Sequence, residues 1–215
     1  MTVELTPVQT VGPYFSLGLM GEGNNVLARP DTEGQRIRIE GHIFDGDGDP
    51  LFNVLLEIWQ ANAHGRYNHP LDQRPVPLDP AFIGFGRAST DAKGFYWFET
   101  IKPGRVLRED GGLQAPHIVV TVHASGVAYP LITRLYFADE PSNESDTLLQ
   151  YISRDRRSTL LATPEQREGM TVYRFDIVLR GQAEELVLEG KIMADASKDA
   201  PSGAGKAETV FFALR

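Results

Sequence analysis

The chain has no cysteine, which excludes disulfides, thiolate metal sites and cysteine nucleophiles together. It has no run approaching the roughly 20 apolar residues that span a bilayer. The opening MTVELTPVQTVGPYF has neither a basic leader nor an apolar stretch, so no secretory signal is expected. Positive charge is in deficit, with 21 Lys and Arg against 29 Asp and Glu and a net charge of −8. That balance argues against a nucleic-acid binder, which needs a basic surface. G-x-S-x-G, G-x-G-x-x-G and phosphate-loop patterns are missing, which removes the commonest hydrolase and nucleotide-binding signatures. The expectation is a soluble, cytoplasmic protein.

What is present is a patterned chain of 215 residues, 41% hydrophobic, enough for one well-buried domain. Arg36 to Phe44 alternates, with Ile37, Ile39 and Ile43 on one face and Arg36, Arg38, Glu40 and His42 on the other. A period of two predicts a half-buried strand. DGDGDP at Asp45 to Pro50 predicts a turn. Val54 to Trp59 predicts a strand buried on both faces, and Asn62 to Phe85, polar and without a clean period, a long loop. Further strands are predicted at Phe95 to Thr100, His117 to His123, Leu131 to Phe137, Val172 to Leu179 and Thr209 to Phe212. A short helix is predicted near Asp146 to Ile152. Many short strands parted by turn signals predict an all-β fold, a sandwich or barrel. Residues 1–30 form a Gly- and Pro-punctuated arm without periodicity, and 182–207 (ending DASKDAPSGAGKAE) a flexible insertion.

The residues offer few self-contained sites. DGDGD resembles the start of a calcium loop, but Pro50 stands where Gly is needed and Leu56 where a bidentate Glu is needed. The histidines are His42, His64, His69, His117 and His123, with no H-x-H or H-E-x-x-H among them. Tyr67 and His69 stand two apart; a structured loop explains them better than a metal site, because ligands come in sets of three or four.

Eight blocks together resemble the intradiol ring-cleaving dioxygenases, in the branch that acts on protocatechuate. They are TPVQTVGPY, EIWQANAHGRY, PLDPAFIGFGR, TDAKGFYWFETIKPG, APHI, TRLYFADE, YRFDI and ETVFF. They follow the family's order and cover nearly the whole chain outside 182–207. The resemblance implies one domain over 1–215, a β-sandwich with long loops and one or two short helices, and a role in aromatic-compound catabolism.

Iron-bearing members of this family hold a non-haem Fe(III) with two tyrosines and two histidines. The matching positions here are Arg74 (with Gln73 or Pro75 as alternatives for the first), Val106, His117 and Val119, so the resemblance leaves one donor of four. The resemblance therefore implies an iron-free, non-catalytic α-type subunit, with Fe(III) bound by a β-type partner of the same fold. It also implies that Thr10, Gly12, Pro13, Tyr14 and Arg134 help line a cleft between the two chains, binding protocatechuate. Gly12 would allow close backbone approach, Pro13 would stiffen that wall, and Arg134 would draw an anionic benzoate. Two departures stand out: the insertion 182–207, and ALR after FF, where an acidic residue often follows. Rival readings are a stand-alone transthyretin-like or CnaB-like binding module, an independent enzyme with an iron site rearranged onto Tyr67, His69 and His117, and a relative acting on another ortho-diphenol. TDAKGFYWF is shared by such modules; QTVGPY and TRLYF are not.

Overall fold

A computed structural model describes residues 9–12, 14–179 and 206–212. The alternating run folds as β1 (Arg36–Phe44), with Ile37, Ile39 and Ile43 at most 2% exposed. The chain continues through β2 (Leu55–Gln60), β3 (Phe85–Ser89), β4 (Phe95–Ile101), β5 (Val106–Leu107), β6 (Leu113–Gln114), β7 (His117–His123), β8 (Leu131–Phe137), β9 (Leu161–Arg167), β10 (Met170–Arg174) and β11 (Ile177–Val178). Among the described residues three short α-helices are present: α1 (Tyr14–Leu19), α2 (Thr147–Tyr151) and α3 (Arg154–Arg157).

The strands build two layers. One runs β3–β2–β7–β8 and the other β4–β1–β10, with β11 beside the end of β1. β9 belongs to both: Leu161 and Ala162 pair with Tyr136 and Phe137 of β8, and Thr163 to Arg167 pair with β10. Opposite β9, a short segment laces the layers together. Asn24 O accepts from Arg87 N of β3 at 2.9 Å, Leu27 N donates to Glu99 O of β4 at 2.8 Å, and Glu99 N donates to Asn25 O at 2.9 Å. Gly86 permits this approach, since a Cβ there would lie 2.4 Å from Leu27 Cδ1.

The core lies between the layers. Ile39, Phe98 and Tyr96 meet Leu56, Val120 and Leu135, all at most 3% exposed. Burying side chains of this size stabilises the fold by roughly 1.5–3 kcal/mol each. A second cluster covers the outer face of β8, where Tyr136 packs with Ala115, Leu149, Leu160 and Phe212. This is the all-β sandwich the sequence predicts.

Several details differ. β2 is not buried on both faces along its length: Glu57 and Trp59 are half-buried on the outer side. β3, β9 and α1 form where no regular element is expected. The predicted strand 172–179 divides into β10 and β11 because the chain bends at Phe175 and Asp176. There Phe175 N donates to Glu40 O and Asp176 Oδ1 accepts from His42 N, each at 2.9 Å. Gly41 makes the bend possible, since a Cβ would lie 1.9 Å from Phe175 O. Residues 209–212 form no strand, only a bridge from Phe212 to Ile132. Pro13 and all but the last two positions of the insertion 182–207 lie outside the described residues. Lys206, at its end, pairs with Asp176 at 2.5 Å.

Candidate functional site

β7 and β8 send alternate side chains to opposite faces. Ile118, Val120 and Val122 enter the core, so His117, Val119, Thr121 and His123 face outward. On β8 the outward set is Ile132, Arg134 and Tyr136. The register places Trp59, Val119 and Arg134 in one row, and His117 opposite Tyr136.

The four positions expected from the resemblance to match the family's iron ligands are linked along this flank. Arg74 Nη1 donates to Leu107 O at 3.1 Å, which sets it against the β5–β6 hairpin that contains Val106. Val106 pairs with Gln114, and Gln114 Oε1 accepts from Arg134 Nη1 at 2.8 Å. Arg134 pairs in turn with Val119. The His117 ring lies 5.7 Å from that of Tyr136. Beside them opens a cavity of about 1010 Å³, its wall including Trp59, Tyr67, His69, Asp72, Arg74 and Gln114.

These side chains do not fit a ferric ion. Valines supply no donor atom, and Arg74 puts a fixed positive charge where an anionic donor would stand. His117 is 1% exposed, and its Nδ1 lies 2.8 Å from Ala115 O, so that nitrogen carries the proton. Burial, together with the charge on Arg134, pulls the His117 pKa down to about 4. Tyr67 and His69 do not share a strand face as partners. The Tyr67 ring stacks on Trp59 at 5.6 Å, while His69, exposed, accepts from Leu71 N at 3.2 Å through Nδ1. Burial pushes the Tyr67 phenol up, while the charges of Arg134 and Arg74 act against this. Among the described residues no group of three His, Asp or Glu is placed to hold a metal ion.

The expected cleft residues fall into two places. Thr10 sits at the β7–β8 turn, where its Oγ1 accepts from Gly126 N at 2.8 Å and lies 3.5 Å from Ala124 O. Gly12 has no atom within 4 Å of where a Cβ would stand, and Tyr14 is 80% exposed. Arg134 pairs with Val119, five residues before Ala124, or about 16 Å along the strand. Within one chain, the arm and Arg134 therefore face separate places. Arg134 is half-buried, with Gln114 and Tyr136 as its hydrogen-bond partners. It has no carboxylate in ion-pair range among the described residues.

Sequence reasoning missed Asp72, Tyr136, Gln114 and Asp146. Asp146 is fully buried and accepts from Ala115 N, Leu148 N, Leu149 N and the Tyr136 hydroxyl at 2.8–3.3 Å. Its only sequence signal was an Asp ahead of a short helix.

A sandwich of this topology, with a cavity against the outer face of β7 and β8, defines a class. The profile of the family described as Dioxygenase matches residues 10–181, and the chain belongs to this intradiol dioxygenase family. Within it, the chain is 39% identical to the protocatechuate 3,4-dioxygenase alpha chain of Pseudomonas putida over 205 residues, 88% of this chain and 100% of that one. It is 38% identical to the beta chain of the Burkholderia cepacia enzyme over 164 residues, 74% of this chain and 70% of that one. Among solved structures it resembles the dioxygenase domain of a dioxygenase carbohydrate-binding protein fusion from Streptomyces sp. SirexAA-E. That match has a TM-score of 0.58 and 29% identity, covering 82% of this chain and 99% of that domain.

Proposed function

We propose that this chain is the α-type subunit of a cytoplasmic protocatechuate 3,4-dioxygenase, paired with a β-type chain that holds the Fe(III). The assembled enzyme takes protocatechuate and O2 to 3-carboxy-cis,cis-muconate, and the chemistry at the metal belongs to the partner. The observation that carries this reading is Arg74: its guanidinium, paired to Asp72, occupies a position that the family resemblance matches to an anionic iron donor. The match along the full length of the Pseudomonas putida alpha chain supports it.

This chain's part is to shape and charge the cleft. Thr10, Gly12, Pro13 and Tyr14 supply one wall. Ahead of Asn24, the described part of the arm meets its own chain through the bond from Gly126 N to Thr10 Oγ1 and the Phe15–His123 ring contact, with Tyr14 turned to solvent, which supports a face that closes against a partner. Arg134, a half-buried cation without a carboxylate partner among the described residues, supplies positive potential towards an anionic ring substituent. The test is to purify the chain alone and co-expressed with a β-type chain, then to measure iron content and protocatechuate-dependent oxygen uptake. Iron and activity are expected only in the complex. Stoichiometric iron and turnover in the lone chain would overturn the reading.

A further inference from the structure

Arg74 spends its guanidinium on the chain itself. Nε donates to Asp72 Oδ1 at 2.7 Å, Nη2 to Asp72 Oδ2, and Nη1 to Leu107 O at 3.1 Å. Its carbon lies 5.6 Å from the centre of the Tyr67 ring, which stacks on Trp59 of β2. Asp72 in turn accepts from Tyr67 N at 2.7 Å and from Arg74 N at 3.2 Å. Arg66 closes the same loop, donating to Asp72 O at 3.1 Å and Val76 O at 3.0 Å. Arg74 is thus the junction between two segments far apart in sequence: loop 66–76 on one side and the β5–β6 hairpin on the other.

An arginine lining a cavity is often an anchor for an anionic ligand. Here that role is disfavoured, because each guanidinium nitrogen already faces an acceptor. The other arginine of the cavity wall, Arg108, is likewise committed, to Asp110 and to the Thr147 hydroxyl at 2.6 Å. The arrangement is instead that of a buttressed cation. It faces two carboxylate oxygens, a carbonyl and an aromatic face, which are the partners a planar cation accepts. Two of the four positions that match the family's ligands, Arg74 and Val106, lie one on each side of this junction. In a chain carrying donors at both, a metal ion would bridge the same two segments.

We propose that Arg74 is a built-in structural cation that takes over the bridging role of a metal, clamping loop 66–76 to the β5–β6 hairpin. The comparison with a metal rests on the family match; the clamp rests on the geometry of this chain alone. Charge by itself is not enough for the task. Lysine at this position keeps the charge but cannot satisfy both Asp72 oxygens and the Leu107 carbonyl in one plane.

The experiment is hydrogen exchange on the full-length chain and on Arg74→Lys and Arg74→Ala variants. Segments 67–76 and 106–114 are read against β1 and β4 as an internal control. In both variants the two segments are expected to exchange at least about tenfold faster together, with the control unchanged. Millimolar methylguanidinium is expected to restore protection in both segments of Arg74→Ala, and methylammonium is not. Wild-type exchange in either segment of Arg74→Lys would overturn the clamp, as would rescue by methylammonium equal to that by methylguanidinium. If Arg74→Ala fails to fold, Arg74→Lys decides through the same paired readout. None of these outcomes depends on iron, activity or a β-type partner, so failure of the clamp and failure of the subunit assignment are separable.

Discussion

The two ends of the β7–β8 ladder are built on opposite plans. At the His117 end outward polar groups are tied to one another and to the backbone. Tyr136 reaches Asp146, Asp146 holds three backbone N–H groups, and Arg134 is braced by Gln114 and Tyr136. At the Ala124 end the arm rests on the turn through Thr10, Phe15 leans on His123 with ring centres 5.3 Å apart, and Tyr14 and Leu17 remain exposed. The first end is finished by the chain itself. The second presents apolar surface that the described residues do not cover, which is the character of a face made for association. A flank with no metal-holding cluster among the described residues can therefore be well organised, while the arm leaves large apolar side chains exposed.

The contrast is broken most directly at Asp146. Asp146→Ala strips the cap from α2 and leaves buried donors, including Ala115 N, without an acceptor. A loss of about 3 kcal/mol is expected in urea denaturation. Next comes His117. Its pKa is depressed in the folded chain to about 4 from an ordinary 6.5, so the unfolded chain binds the proton more readily. Stability is then intact above pH 6.5 and falls as the pH drops towards 4, by up to on the order of 3 kcal/mol. Denaturation midpoints at pH 7, 5.5 and 4.5 would show the slope, and His117→Gln is expected to flatten it.

Arg134→Ala sharpens the comparison at the level of function. In the co-expressed complex it is expected to raise the KM for protocatechuate several-fold with iron content unchanged. A fall in iron would instead give Arg134 a structural role. The smallest effect on folding belongs to Thr10→Val. It removes the 2.8 Å bond from Gly126 N at an exposed site and is expected to cost less than about 0.5 kcal/mol. Its signature is weaker assembly with a β-type chain, read by titration of the purified subunits.

Much of the sandwich was legible because alternation is a local signal. β1 and β4 could be read from Ile37, Ile39 and Ile43 and from Tyr96 and Phe98, and β7 from its β-branched run Ile118 to Val122. β3 and β9 were not. Gly86 sits in β3 only because Leu27 presses on it, and Pro164 lies inside β9, so both strands are decided by tertiary contacts that local propensity opposes. At the site, family resemblance located Arg74, Val106, His117 and Val119, and the structure gathers them on one flank. What Arg74 does there depends on Asp72 and on Leu107, a residue 33 positions away. No spacing rule exposes a bond from a side chain to a distant carbonyl.

The lacing of Asn24 to Leu27 onto β3 and β4 has a mechanical consequence. On one flank the sandwich is shut by a strand common to both layers; on the other it is shut by the root of the arm. A partner that takes hold of the chain ahead of Asn24 grips the drawstring of the closed fold. Tension on the arm falls first on the bonds at Arg87 and Glu99 and on Leu27, the core side chain that the lacing segment itself contributes. Engagement of the arm and rigidity of that edge are then one property, felt at both ends of a short cord.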